Sequence, residues 1–202
     1  MGLSIVVREK FKGAFEEKCL ILAIRAYKTS LTEGVVKLDW DENDISSELH
    51  KYIDADPERI RWRISTNVES HIPKDINKTK GFAAKFPRVD FRMTAFVSNH
   101  EVKYFLEAKN LRSSSSALKR RYIDTGIDNF VSGKYPKGSL LGYLLDGTPN
   151  GVVNGINKLL IKDKRENETL SHRPNNTLDN YFESSHLQIQ TLKHLIFDYT
   201  SC

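Results

Sequence analysis

The sequence predicts an α/β protein: one mixed β-sheet flanked by helices. Three observations carry this. Apolar residues recur at helical spacing over 9–28, two strand-like runs follow one another at 88–97 and 101–110, and GSLLGYLLDG (138–147) is an apolar run bounded by glycines. Helical and strand periods that interleave in this way lead to helices packed on a sheet.

In residues 9–28, Phe11, Phe15, Leu22 and Ala26 recur with Glu and Lys between them, and Ile21, Ile24 and Tyr27 widen the apolar face. After the polar link TSLTEG, the segment DENDISSELHKYI places Asp44 as a cap before a stripe of Ile45, Leu49, Tyr52 and Ile53. Beyond the Asp56-Pro57 break, RIRWRISTNVES alternates like a strand, and PKDINKTKG reads as an exposed loop. RVDFRMTAFV and EVKYFLEAKN are joined by the short turn SNH, which predicts an antiparallel hairpin. A Ser-initiated helix over 113–135 carries Leu118, Tyr122 and Phe130 on one side, and the apolar run at 138–147 suits an interior strand. Thr148 before Pro149 starts another helix, 165–180 reads as a loop, and 186–200 as one or two closing strands.

Length and composition suit a single domain over 1–202. At 39% hydrophobic residues there is enough apolar material for a real interior. The core falls at about 45–145, with the helix at 9–28 and the region 146–202 as elaborations. Two cysteines, Cys19 and Cys202, assemble neither a disulfide framework nor a four-ligand zinc site. The opening MGLSIVVREKFKG is too short an apolar run for a signal peptide, and no stretch approaches the roughly 18 apolar residues of a membrane span. A cytoplasmic protein without membrane attachment is the expectation.

The net charge of +5 is unevenly placed: zero over 1–84, +6 over 85–137 and −1 over the rest. A basic excess confined to one region favours a phosphate-rich partner there. Arg88, Arg92, Arg112, Lys119, Arg120 and Arg121 are the candidate phosphate contacts, and a solvated basic face is the simpler alternative.

The same region holds misplaced acids. Side chains two apart on a strand share a face, so Glu107 and Lys109 project together from YFLEAKN. An acid-x-Lys triplet is cheap, and Glu16-x-Lys18 is another; that one lies on a predicted helix, where neighbours two apart do not face each other. A hairpin brings Asp90 beside Glu107. Two carboxylates close together in a partly dry site repel one another and lose hydration, and a divalent cation removes that conflict. Mg²⁺ is commonly held by one or two carboxylates with retained waters and a substrate phosphate. The carbonyl of residue 108 could add a ligand, and the Lys109 ammonium could orient or help deprotonate a nucleophile. Glu48, about 60° from Ile45 at ~100° per residue, borders the apolar stripe of its helix and is the natural third carboxylate, with Glu69 as its rival.

Pro87, Asp90 and then Glu107-Ala108-Lys109, on consecutive strands after a helix bearing an acid, resemble the PD-(D/E)xK nuclease superfamily over roughly residues 45–145. Pro87 stands three residues before Asp90, where the motif's name has proline directly before the acid. The resemblance implies a restriction-endonuclease-like fold with an αβββαβ core, extended here by the N-terminal helix and C-terminal strands. It implies a Mg²⁺-dependent DNA endonuclease, Mn²⁺ substituting, that hydrolyses phosphodiesters with a metal-activated water. Asp90 and Glu107 would be ligands, Lys109 the catalytic lysine, and Glu48 the assisting acid. The layout also resembles small nuclease components of prokaryotic antiviral or restriction loci, which would give the chain a homodimeric or partner-protein setting. A catalytically idle nuclease-fold subunit that binds nucleic acid or a partner is the alternative, and RNA is not separable from DNA by this chemistry. His172, His186 and His194 match no metal-binding spacing, and DGTPNG lacks the Lys-Ser/Thr of a phosphate-binding loop.

Overall fold

The computed structural model describes residues 5–72, 88–97 and 100–201, with side chains from residue 9 onward in the first span. Pro87, the whole expected loop at 73–81 and two residues of the hairpin turn lie outside the described residues. The elements are α1 (Ile5–Glu33), α2 (Glu42–Ala55), α3 (Pro57–Arg61), β1 (Ser65–His71), β2 (Arg88–Val97) and β3 (His100–Arg112). Then come α4 (Ser116–Arg121), a π-helical turn (Tyr122–Ile127), α5 (Asp128–Val131), β4 (Gly138–Asp146), α6 (Pro149–Lys162), a 3-10 turn (Glu166–Glu168), β5 (Ser171–His172), β6 (Tyr181–His186) and β7 (Gln190–Asp198). Among the described residues seven strands form one mixed sheet in the order β1-β2-β3-β4-β7-β6-β5. The two pairs that include β4 are parallel, and the other four are antiparallel.

Two cores cover the two faces. On one, Leu22, Ala26, Ile45, Leu49 and Ile53 of α1 and α2 pack on Leu106, Ala108, Leu141, Tyr143 and Phe197. On the other, Ile123, Ile127 and Phe130 join Val152, Ile156 and Leu160 of α6 over Leu111, Leu140, Leu144 and Ile196. β4 is buried on both faces because it is the middle strand, with neighbours and helices on every side. Gly142 is needed there: a Cβ would meet Leu111 Cδ1 at 2.5 Å and Ile196 Cδ1 at 2.7 Å.

The departures from the sequence reading are local. TSLTEG is the last turn of α1, not a linker: Gly34 at φ +61° closes it, and the Val35 N–H donates to the Ser30 carbonyl. Asp56-Pro57 starts a helix instead of merely breaking one, because the Asp56 carboxylate accepts from the Glu58 N–H and proline tolerates the first helical position. The strand read at 59–70 therefore begins only at Ser65. The predicted helix at 113–135 is capped by Ser115 and runs to Val131 through the π turn. β6 lies in YFESSH, which the sequence reading left without a strand. Among the described residues no helix is long and apolar enough to cross a membrane.

Candidate active site

The site forms where two strands of the hairpin part. β2 and β3 pair from Val97–His100 to Phe91–Leu106, and there the ladder stops. The next residue, Asp90, turns its carboxylate into the gap, and its Oδ2 accepts the Ala108 N–H at 2.6 Å. From Phe105 onward β3 pairs with β4, so the segment carrying Glu107 and Lys109 is held rigidly on that side.

Glu107 and Lys109 are each only 5% exposed. Lys109 Nζ donates to Glu107 Oε1 at 2.6 Å and to the Ala108 carbonyl at 2.7 Å. Glu107 Oε1 also lies 3.4 Å from the Tyr135 hydroxyl, whose shorter bond, 2.7 Å, goes to the Arg88 carbonyl. Glu107 Oε2 is buried and has no hydrogen-bond partner among the described residues. Burial, with the Asp90 charge adding to it, pushes the Glu107 carboxyl up to about 7. Burial raises Asp90 as well, offset in part by Lys109 and the Ala108 N–H.

The acid that α2 brings to this cluster is Glu42, not Glu48. Asp41 caps α2 and Asp44 reciprocates from three residues on, so the helix starts earlier than Asp44. Glu42 then falls in line with Ile45, Leu49 and Ile53, at helical spacing, and is buried. Its Oε1 stands 3.7 Å from Lys109 Nζ, and its Oε2 accepts the Asn110 N–H at 3.0 Å. Arg121 clamps it from α4 with two bonds of 2.8 and 3.0 Å. Glu48 points away and pairs with Lys51 at 3.0 Å. Glu69 stands across from Asp90 between the pairs Val68–Phe91 and Ser70–Val89, at φ +47°, in the left-handed region that a residue with a Cβ enters at a cost. With Asp90, Asn43, Asp44, Ser46, Ser47 and Val68 it lines a cleft of about 330 Å³.

The six candidate phosphate contacts fare unequally. Arg88 is exposed at the start of β2. Arg92 reaches Asn67 at 3.3 Å across the β1–β2 ladder. Arg112 donates to the Leu38 carbonyl and Lys119 to the Ser113 carbonyl, and both cations help hold the Asp146 carboxyl below its ordinary value. Arg120 is paired with Asp163, and Arg121 with Glu42. Arg112 and Arg121 border a second cleft, of about 310 Å³, on the other side of Glu42.

Asp90, Glu107 and the Ala108 carbonyl are the oxygen donors that could hold a hard cation. Among the described residues no group of three or more His, Cys, Asp and Glu side chains converges closely enough to hold a metal by themselves. Two carboxylates with a carbonyl suit Mg²⁺, which keeps waters and shares substrate oxygens, better than an ion that needs a full protein cage. Missing from the sequence reading were Glu42, Tyr135 and Asn110. Glu42 had a signal, its place in the apolar stripe three residues before Ile45.

The chain matches no protein-family model, no curated protein and no solved structure.

Proposed function

We propose that the protein is a Mg²⁺-dependent phosphodiesterase that cuts DNA, with a restriction-endonuclease-like core spanning α2 to β4. The observation that carries this reading is Glu107 Oε2, a buried carboxylate oxygen with no donor among the described residues, beside a second, half-buried acid, Asp90. Such an atom is costly unless something charged comes to it. The element order from α2 to β4, helix, three strands, helix and strand, supports the same reading.

When bound, Mg²⁺ would acidify a water and neutralise charge on the phosphate, held by Asp90, Glu107 and the Ala108 carbonyl. The chain's own groups do the rest. Lys109, fixed by Glu107 and the Ala108 carbonyl, presents a buried cation beside the two carboxylates. There it positions the attacking water and offsets charge that grows on the phosphoryl oxygens. Asp90 is held in place by the Ala108 N–H, so its carboxylate needs no rearrangement to serve as a ligand. Arg88, exposed at the start of β2, and Arg112, at the second cleft, add positive charge for a polyanion.

The test is cleavage of supercoiled plasmid, linear duplex and single-stranded RNA with Mg²⁺, with Mn²⁺ and with EDTA. Metal-dependent nicking by the wild type, lost by at least about 100-fold in Asp90→Ala and Lys109→Ala, is the expected result. Equal activity in wild type and variants would sink the assignment. Nucleic-acid binding with no cutting under any condition would favour the idle binding subunit, and cutting of RNA alone would move the substrate class.

A further inference from the structure

We propose that Arg121 is a positioning residue that acts on the site through Glu42, holding that carboxylate off the Lys109 ammonium. The inference rests on the nuclease reading. Sequence alone offers Arg121 to phosphate, as one of three consecutive cations on α4. The fold gives it a different partner.

Glu42 is 8% exposed and both its oxygens are in use. Oε2 accepts from the Asn110 N–H at 3.0 Å and from Arg121 Nη1 at 2.8 Å, while Oε1 accepts from Arg121 Nη2 at 3.0 Å. Lys109 Nζ lies 3.7 Å from that same Oε1, beyond hydrogen-bond range. An ammonium has three donors, and Lys109 commits two of them, to Glu107 Oε1 and the Ala108 carbonyl. The third remains available to Glu42.

Arg121 therefore decides how Lys109 is shared. With the bidentate pair in place, the charges sort into Glu42 with Arg121 and Glu107 with Lys109, and Lys109 stays beside the oxygens that receive the cation. Without it, Glu42 Oε1 is a buried carboxylate oxygen lacking its donor, and a movement of about 1 Å brings Lys109 to it. A shift of that size stretches the Lys109 bonds to Glu107 and the Ala108 carbonyl, now 2.6 and 2.7 Å. The guanidinium also has outward N–H groups, and the side chain is 53% exposed, so a direct phosphate contact is the rival role.

The two roles separate in a double-mutant cycle. Cleavage kinetics with Mg²⁺ are measured for wild type, Arg121→Gln, Glu42→Gln and the double variant, alongside duplex affinity in EDTA as a function of salt. Positioning through Glu42 lowers kcat in Arg121→Gln by roughly 10- to 100-fold with KM within about twofold. In the Glu42→Gln background the same change then alters kcat by less than about twofold. The salt dependence of binding stays that of the wild type. Independent, multiplying effects, or a salt slope reduced by about one in Arg121→Gln, would make Arg121 a phosphate contact and overturn the inference.

If Glu42→Gln unfolds, or cuts too slowly to time, Glu42→Asp replaces it. Drawing the carboxylate back by one methylene should soften the Arg121→Gln defect, and an undiminished defect counts against the proposal. Wild-type protein that cuts no nucleic acid removes the nuclease reading and this inference together, and does so before any variant is compared.

Discussion

Two buried polar clusters sit on the same sheet, and they are finished to different degrees. In the C-terminal half, Tyr122, His194, Ser184, His186 and Glu168 form a chain with contacts of 3.0, 2.7, 2.7 and 2.7 Å. Its direction follows from counting protons. Glu168 accepts, so His186 Nδ1 carries the hydrogen and its Nε2 must accept from the Ser184 hydroxyl. Ser184 Oγ then accepts from His194 Nε2–H, and His194 Nδ1 accepts from Tyr122. Every member is satisfied with both imidazoles neutral, and Arg165 completes the end at 2.7 Å from Glu168. At Asp90, Glu107 and Lys109 the count does not close, because Glu107 Oε2 has no donor among the described residues. A completed network specifies a fold; an incomplete one of charged groups leaves room for a ligand.

Breaking the completed chain should have the largest effect on stability. His194→Leu leaves the Tyr122 hydroxyl and Ser184 short of a partner in a sealed core, and about 3 kcal/mol should be lost in urea unfolding. Cleavage per folded molecule should not change, and a comparable loss of both would tie the two clusters together.

pH separates the clusters by sign. Burial lowers His194 to about 3, below its ordinary value of 6.5. Its contribution is thus present above 6.5 and is lost as pH falls toward 3. Glu107 is raised from 4.5 to about 7, so its contribution is present below 4.5 and is lost as pH rises through 7. Each limb should slope by up to about 1.4 kcal/mol per pH unit. Between 4.5 and 6.5 the two slopes oppose one another, so wild-type unfolding free energy measured from pH 3 to 8 should be nearly flat there, and Glu107→Gln should uncover a rise with pH across that window. A profile unchanged by that substitution would contradict the burden assigned to Glu107.

At fixed pH 7.5 the smallest effect is expected from Glu107→Gln itself. Stability should be unchanged or rise by up to about 1 kcal/mol, since an amide carries no ionisation burden, while cleavage disappears. A loss of more than about 2 kcal/mol would mean that Glu107 serves the fold.

The same contrast sets what the sequence could disclose. The hairpin with Asp90, Glu107 and Lys109 was legible because charged residues in otherwise apolar strands violate the pattern, and β4 because its apolar run has no polar face. β6 was not legible: its buried face carries Ser184 and His186, which satisfy each other and so imitate a loop. Glu48 and Glu69 stood as the third acid and Glu42 went unnoticed, because helical spacing gives directions but no starting point. The Asp41 cap, three residues before Asp44, supplies it and moves the inward acid to position 42. Arg120 and Arg121 read as free cations because Asp163 and Glu42, their partners, are distant in sequence and are brought to them only by the fold.

The most direct measurement is Mn²⁺ binding in the absence of nucleic acid, followed by electron paramagnetic resonance. Wild-type protein and His194→Leu should each take up one Mn²⁺ per chain with equal affinity, while Asp90→Asn and Glu107→Gln lose it by at least about tenfold. Equal uptake by all four proteins, or none by the wild type, would contradict the claim that the unfinished cluster is built for a cation.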